Sequence, residues 1–104
     1  MSETVQTSVE ITHEVGLHAR PSVKFTKLAK GFAADVEMAI SVEGPWFDAK
    51  SIVKVMAARA PKGTRLHLRA KGEDAEAALQ ALVALVERDF DEAADKDGLH
   101  VRTA

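Results

Sequence analysis

Cysteine is absent from this 104-residue chain, and long apolar runs are absent as well. The lack of cysteine excludes a disulfide framework, a thiolate metal site and a cysteine nucleophile, and it fits a reducing compartment. No stretch approaches the roughly 20 apolar residues that span a bilayer, and residues 1–12 lack the basic start and apolar run of a signal peptide. We therefore expect a cytoplasmic protein without membrane insertion.

Neither sign of charge is in large excess. The formal net charge is -2 and the pI is near 6.1, which does not favour a nucleic-acid-binding surface. Apolar residues make up 46% and charged residues 29% of the chain, the balance of a soluble globular protein. The length suits one domain with its own core and is too short for two of ordinary size.

Three stretches alternate between apolar and polar residues, as half-buried β-strands do. Their inward side chains are Val5, Thr7, Val9 and Ile11 in residues 5–11, Val36, Met38 and Ile40 in residues 35–40, and Leu66, Leu68 and Ala70 in residues 65–71. The outward side chains of the last stretch are Arg65, His67, Arg69 and Lys71. A turn signal at residues 43–45 precedes Trp46 and Phe47, which we predict to form a short edge strand.

Three further stretches have apolar residues at helical spacing. The first follows Pro21, which suits the first turn of a helix, and ends near Gly31. The second follows Ser51 as its N-cap and has a short apolar stripe of Ile52, Val55 and Met56. The third is opened by residues 72–74, and one face carries Leu79, Leu82, Val83, Val86 and Phe90.

The resulting element order is βαββαβα. Because each strand has a single apolar face, we predict an α/β (α+β) fold: an open-faced β-sandwich with a four-stranded, mostly antiparallel sheet covered on one face by three helices. We expect an extension at residues 1–4, one domain at residues 5–90, and a polar, disordered tail at residues 91–104. Residues 98–102 resemble residues 16–20, but no proline and apolar helix follow them, so we interpret this echo as coincidence.

The most informative stretch is residues 16–22, where a histidine precedes a predicted helix. Gly16 permits a tight turn and Pro21 fixes the backbone at the helix start, so His18 lies just ahead of unpaired backbone N–H groups. Those donors and the positive end of the helix dipole favour an anion. Arg20 adds a planar, permanently charged donor for phosphate oxygens. A plain helix-capping role for His18 is the alternative.

Phosphoryl chemistry fits these residue types. Imidazole has an ordinary pKa of about 6.5, so much of it is an unprotonated nucleophile near neutral pH that can hold a phosphoryl group as a phosphoramidate. Phosphoryl transfer needs mainly positioning and charge stabilisation, which a helix terminus and one arginine supply. No cofactor is required, and the four histidines show no metal-ligand spacing, so we predict no metal site.

The stretch of residues 16–21, Gly-Leu-His-Ala-Arg-Pro, resembles the active-site signature of the HPr family. These are histidine-containing phosphocarrier proteins of the bacterial phosphoenolpyruvate-dependent phosphotransferase system. Residues 49–56 resemble the regulatory-serine region of the same family, and the resemblance extends over residues 5–90. It implies a phosphocarrier that is not an enzyme. Its histidine, His18, would receive a phosphoryl group on Nδ1 from phosphorylated enzyme I.

The resemblance also implies partners and a phosphate-binding set. The acceptors would be sugar-specific enzyme II components or regulatory proteins; a nitrogen-regulatory or purely regulatory phosphorelay is the alternative. Phosphate would be held by Gly16, Ala19, Arg20 and Pro21. In many relatives the serine matching Ser51 is phosphorylated by a dedicated kinase, the HPr kinase/phosphorylase, so Ser51 is either a regulatory site or a helix cap, and both roles are compatible.

Partners of a carrier are engaged in turn, which favours a small, exchangeable docking surface on a monomer. We expect this docking surface to consist of Val23, Lys24, Lys27, Ile52, Val53 and Met56. Partial core burial is the alternative for Val23 and Val53. Two other classes remain open: a nucleic-acid-binding module using the outward basic strand, disfavoured by the missing aromatic ladder, and a small hydrolase using His18 as its nucleophile.

Overall fold

The computed structural model describes residues 4–12 and 19–91. Its elements, in chain order, are β1 (Thr4–Glu10), α1 (Ala19–Lys30), β2 (Asp35–Ala39), β3 (Phe47–Asp48), α2 (Ile52–Ala58), β4 (Arg65–Lys71) and α3 (Ala75–Glu87), followed by a 3-10 turn (Asp89–Asp91). The predicted order βαββαβα is confirmed. None of the helices in this part of the chain is long and apolar enough to span a bilayer.

The strands form one sheet in the order β1-β4-β2-β3, and all three pairs are antiparallel. In β1 the register runs from Thr4 opposite Lys71 to Glu10 opposite Arg65 without interruption. The short strand β3 lies at an edge, as predicted, but it is Phe47–Asp48 and begins one residue after Trp46. The open-faced sandwich is confirmed, since the helices cover one face only.

The core lies between the sheet and the helices. Alternation in the sequence identified its strand residues, because only one face of each strand is covered. The strand residues of the core cluster and their extension are Val9, Ile11, Val36, Met38, Leu66, Leu68 and Ala70. Helix α1 adds Phe25 and Ala29, and α3 adds Leu79, Leu82 and Val86. Val5 and Val83 are partly buried against this cluster.

Two predictions about apolar residues are wrong. Ile40, expected to point inward, is 49% exposed, because β2 and its pairing with β4 end at Ala39. Phe90 is fully buried but does not belong to α3, which ends at Glu87.

The connection from α1 to β2 is fixed by Asp74, directly before α3. Its two carboxylate oxygens accept hydrogen bonds from the backbone N–H groups of Ala33 (2.9 Å) and Ala34 (2.8 Å). These bonds, with that to Ala33 the largest cause, hold the pKa of Asp74 below its ordinary value, although desolvation opposes them. Gly72 has a φ of +136° and lies close to the backbone of Ala34. A Cβ atom at Gly72 would lie 3.0 Å from the Cα atom of Ala34.

Candidate functional site

The central residues of the predicted phosphoacceptor site lie outside the described part of the chain. This applies to Gly16 and His18, and also to the neighbouring His13. Both flanks of this segment, residues 13–18, are described: β1 and its extension to residue 12 come before it, and α1 comes directly after it. The flanks therefore define where the phosphoacceptor segment begins and ends.

The flank before the segment is fixed by three hydrogen bonds. The backbone N–H of Ile11 donates to the carbonyl of Thr64 (2.8 Å), and the N–H of Gly63 donates to the carbonyl of Ile11 (2.7 Å). The hydroxyl of Thr12 donates to Asp89 Oδ1 at 2.6 Å. With Ile11 fully buried, the chain leaves the sheet at a defined position and direction.

The flank after the segment is the first turn of α1, and Ala19 is its first helical residue. Pro21 and Ser22 are buried and anchor this turn, whereas Ala19 and Arg20 are exposed. The first turn has no acidic residue, and the last turn carries Lys27 and Lys30. His18 therefore directly precedes, in the sequence, the positive end of this 12-residue helix. Because the first turn contains no carboxylate, none of its side chains competes with an anion bound there.

Ser51 is the N-cap of α2, as predicted. Its backbone is extended (φ -99, ψ 111), and its hydroxyl oxygen accepts from the backbone N–H of Lys54 at 3.4 Å. The preceding residue is also fixed, because the Lys50 ammonium donates to the carbonyl of Phe32 (2.8 Å) just beyond α1. Ser51 is itself partly exposed, so its hydroxyl combines a structural role with access from solvent.

The predicted docking residues lie on α1 and α2, which pack against each other. Three of the apolar ones are exposed: Val23 at 45%, Val53 at 73% and Met56 at 41%. Lys27 is exposed, whereas Lys24 and Ile52 are partly buried. The two helices therefore present an apolar surface with lysine at its border. Val23 and Val53 belong to this exposed surface and are not part of the core, which was the alternative for them.

The structure also contains polar arrangements that the sequence patterns did not indicate. Residues 12 and 89, joined by the hydrogen bond described above, are 77 positions apart, and no local signal pairs them. On the open face of the sheet, the Arg69 guanidinium lies 4.1 Å from the centre of the Trp46 ring, and its Nε donates to Glu37 Oε1 at 2.7 Å. Within residues 4–12 and 19–91, no group of three or more acidic or histidine side chains is arranged to hold a metal ion.

Comparisons with known proteins identify the class. The family model PTS-HPr, described as "PTS HPr component phosphorylation site", matches residues 5–88. Phosphocarrier protein NPr of Escherichia coli is 38% identical over 86% of this chain and 98% of its own length. Phosphocarrier protein HPr of Pseudomonas aeruginosa is 42% identical over 81% of this chain and 92% of its own length.

Solved structures give the same result. HPr-C-His from Thermoanaerobacter tengcongensis superposes with a TM-score of 0.76 and 34% identity, covering 83% of this chain and 94% of that chain. HPr from Bacillus anthracis superposes with a TM-score of 0.71 and 36% identity, covering 78% and 94%. Fold, sequence and flanking geometry together define a phosphocarrier protein of the phosphotransferase system and not an enzyme in the catalytic sense. This chain belongs to the PTS-HPr family.

Proposed function

We propose that this protein accepts a phosphoryl group on His18 from phosphorylated enzyme I and passes it to a sugar-specific enzyme II component or a regulatory acceptor. The observation that supports this most directly is the position of His18, immediately before the first residue of α1. Backbone N–H groups without intrahelical partners at such a terminus, the dipole of the helix and the exposed Arg20 all favour phosphate there.

In the proposed transfer, the lone pair of the His18 Nδ1 atom attacks the phosphorus of the donor. A new P–N bond forms, the bond from phosphorus to the donor histidine breaks, and that histidine keeps the electron pair and takes up a proton. The transferred oxygens are held by the Arg20 guanidinium and by the backbone N–H groups of Gly16 and Ala19, while Pro21, which has no N–H, fixes the backbone at the helix start. The same steps, with the phosphorylated carrier as donor and a new acceptor, then remove the phosphoryl group from His18.

The test uses the full chain with phosphoenolpyruvate and enzyme I. We expect an acid-labile, base-stable phosphate that His18→Ala abolishes and His67→Ala leaves unchanged; His67 provides the matched control because it lies on β4, in the sheet. Full labelling of the His18→Ala variant would refute the assignment. Arg20→Ala is expected to slow labelling without abolishing it, since backbone donors remain.

A nitrogen-regulatory or purely regulatory phosphorelay is the second candidate function. The match to relatives named phosphocarrier protein NPr, over 98% of their length, supports it. Offering the phosphorylated chain a sugar-specific enzyme II component and a nitrogen-branch acceptor in separate reactions distinguishes the two. Faster loss of phosphate to one acceptor assigns the branch.

We also propose that Ser51 is a regulatory phosphorylation site for a kinase of the HPr kinase/phosphorylase type. Its partly exposed hydroxyl at the start of α2 supports this, and a phosphate retains an oxygen that can accept from the Lys54 N–H. Incubation with ATP and that kinase should give an acid-stable phosphate. Equal labelling of Ser51→Ala would exclude the site.

The docking surface on α1 and α2 is proposed to bind the phosphoryl partners of a monomeric carrier. Val53 and Val42 offer a matched pair: both are exposed valines, at 73% and 51%, but only Val53 belongs to the docking surface. Val53→Glu should raise the enzyme I concentration needed for half-maximal labelling, whereas Val42→Glu should not. Two solved neighbours are described as dimers, so sedimentation of the full chain is the direct check on the monomer.

A further inference from the structure

Strand β1 forms one edge of the sheet. In the order β1-β4-β2-β3 it is the outer strand, and no strand within the described residues pairs with its other side. It pairs with β4 over all seven of its residues without a bulge. Its sequence, Thr-Val-Gln-Thr-Ser-Val-Glu, contains no lysine or proline, the residues that commonly protect an edge from pairing with another chain.

An open groove of about 390 Å³ runs beside this edge, between β1 and α3. Val5 and Thr7 form its β1 wall, and Leu79 and Val83 are on the α3 side. Leu79 is buried, and Val5 and Val83 are packed against the core, so this apolar floor is part of the folded domain. A free strand edge beside an apolar groove along a helix is the arrangement in which proteins bind extended peptides by strand addition.

Among the described residues that line the groove, the two charged side chains are both carboxylates. Glu76 and Glu87 are exposed and lie at opposite ends of α3, 11 positions apart, which corresponds to about 16 Å along the helix. An extended chain covers that distance in about five residues. The spacing of the two glutamates thus matches the length of one short strand lying in the groove.

We propose that the β1–α3 groove binds an extended protein segment that adds a strand to the free edge of β1. Alternate apolar side chains of that segment contact Leu79 and Val83, and a cationic side chain near each end pairs with Glu76 or Glu87. The partner chemistry is therefore an apolar strand with basic ends. Specificity arises from the side-chain pattern, while main-chain hydrogen bonds to β1 provide affinity.

A second copy of β1 fits this groove poorly. The only charged residue in β1 is Glu10, at its end. Antiparallel pairing of two β1 strands about their centres places the Glu10 of one copy opposite Thr4 of the other, and it brings no basic side chain to Glu76 or Glu87. Because β1 supplies no cation for these two carboxylates, the groove favours a basic partner over a second copy.

The groove shares no residue with the docking surface on α1 and α2. Its lining comes from β1 and α3 alone, and the docking surface comes from the other two helices. A segment bound at β1 therefore leaves the docking surface accessible, so one protein can be held by the carrier while another exchanges the phosphoryl group.

The test is a titration of the full-length, 15N-labelled chain, followed by 1H–15N correlation spectra. The probe is the capped peptide Lys-Thr-Val-Thr-Val-Thr-Lys, whose lysines and valines share one face when extended. We expect amide shifts confined to β1 and α3. The matched peptide with glutamate at both ends should bind about tenfold more weakly, because two attractions become two repulsions.

A charge-reversed protein provides the second arm. The Glu76→Lys, Glu87→Lys double variant should invert the preference and bind the glutamate-ended peptide about tenfold more tightly than the lysine-ended one. Replacing the central threonine of the probe with proline removes an N–H donor and should abolish the shifts in β1. Equal binding of both peptides, or shifts elsewhere with β1 and α3 unaffected, would overturn the proposal. Shifts of β1 amides that grow with protein concentration and no peptide would also overturn it, by making a second copy the occupant.

Discussion

The hydroxyl of Thr12 donates to the carboxylate of Asp89 at 2.6 Å, so the residue directly before the phosphoacceptor segment is tied to the turn after α3. That turn packs against α1, the helix at the other end of the segment. Asp89 and Phe90 both have left-handed backbone conformations, with φ of 54 and 57, and Phe90 is fully buried. The turn after α3 therefore helps to hold both flanks of the candidate site in place.

The Thr12–Asp89 bond is expected to support phosphoryl transfer as well as folding. Thr12→Val keeps the side-chain shape but removes the donor, and should lower the free energy of unfolding by about 1 kcal/mol. We also expect slower labelling of His18, because the chain then leaves β1 with less constraint. Urea unfolding and the initial rate of labelling by enzyme I measure the two effects.

Ser41→Ala is the control for that variant. It removes a similar exposed hydroxyl–carboxylate bond, from Ser41 to Glu43 at 2.8 Å, in the connection between β2 and β3. It should leave the labelling rate unchanged. Equal slowing by both variants would mean that Thr12 has no particular role at the site.

Phe90 should be among the most sensitive positions of the domain, although it lies after the last helix. Phe90→Ala removes a fully buried aromatic side chain, and we expect a loss of about 3–5 kcal/mol in the free energy of unfolding. Val53→Ala, on the exposed surface of α2, should change it by less than about 0.5 kcal/mol. Denaturant titration of both variants makes the comparison; a loss at Phe90 no larger than that at Val53 would contradict the structure.

Asp74 should make stability depend on pH in the acid range. Its pKa in the folded protein lies below the ordinary value of 3.8, chiefly because the Ala33 N–H donates to the carboxylate. The stability that it provides is therefore fully present above that ordinary value and is lost as the pH falls through the folded-state pKa. Asp74→Asn should lower the Tm by several degrees at pH 7, and the difference from the parent should shrink toward pH 2. Glu73→Gln, at the adjacent exposed carboxylate, should show a much smaller difference; a gap for Asp74→Asn that stays constant with pH would refute the linkage.

The cap of α2 complicates any study of Ser51 as a regulatory site. Ser51→Ala removes the oxygen that accepts from Lys54, and should cost about 1 kcal/mol of stability. Ser51→Asp keeps an acceptor at the cap and should retain most of that stability while adding negative charge. Thermal unfolding of both variants tests this: no loss in Ser51→Ala would show that the cap contributes nothing, and equal losses would show that aspartate does not replace it. Regulatory effects should accordingly be judged from the aspartate variant.

The contact between the Trp46 ring and the Arg69 guanidinium, on the open face of the sheet, should be measurable as a coupling free energy. A double-mutant cycle with Trp46→Leu and Arg69→Met is expected to give about 0.5–1 kcal/mol, the range for a solvent-exposed cation–π contact. The same cycle with Arg65→Met, at the other end of β4, serves as the control. A coupling for Arg65 as large as that for Arg69 would show that the ring acts through general packing.

The sequence predicted the fold well because alternation and helical spacing report which faces are covered. Val36 and Met38 follow the pattern and are buried; Ile40 follows it too, yet lies beyond the paired part of β2, and periodicity does not show where pairing stops. Phe90 matched the α3 stripe for a different reason, since it packs into the core from a left-handed turn. Pairings such as Thr12 with Asp89 depend on tertiary structure, so no local pattern predicts them.

The central claim is that His18, at the positive end of α1, carries the phosphoryl group. Its most direct test is a long-range 1H–15N spectrum of the full, histidine-labelled chain before and after phosphorylation by enzyme I and phosphoenolpyruvate. The account predicts that one ring changes, with the phosphoryl group on the Nδ1 atom of His18 and the His67 ring unmodified. Phosphorylation of another histidine would contradict the account. So would the absence of any phosphorylated histidine in this chain when a known HPr, treated in parallel, is labelled.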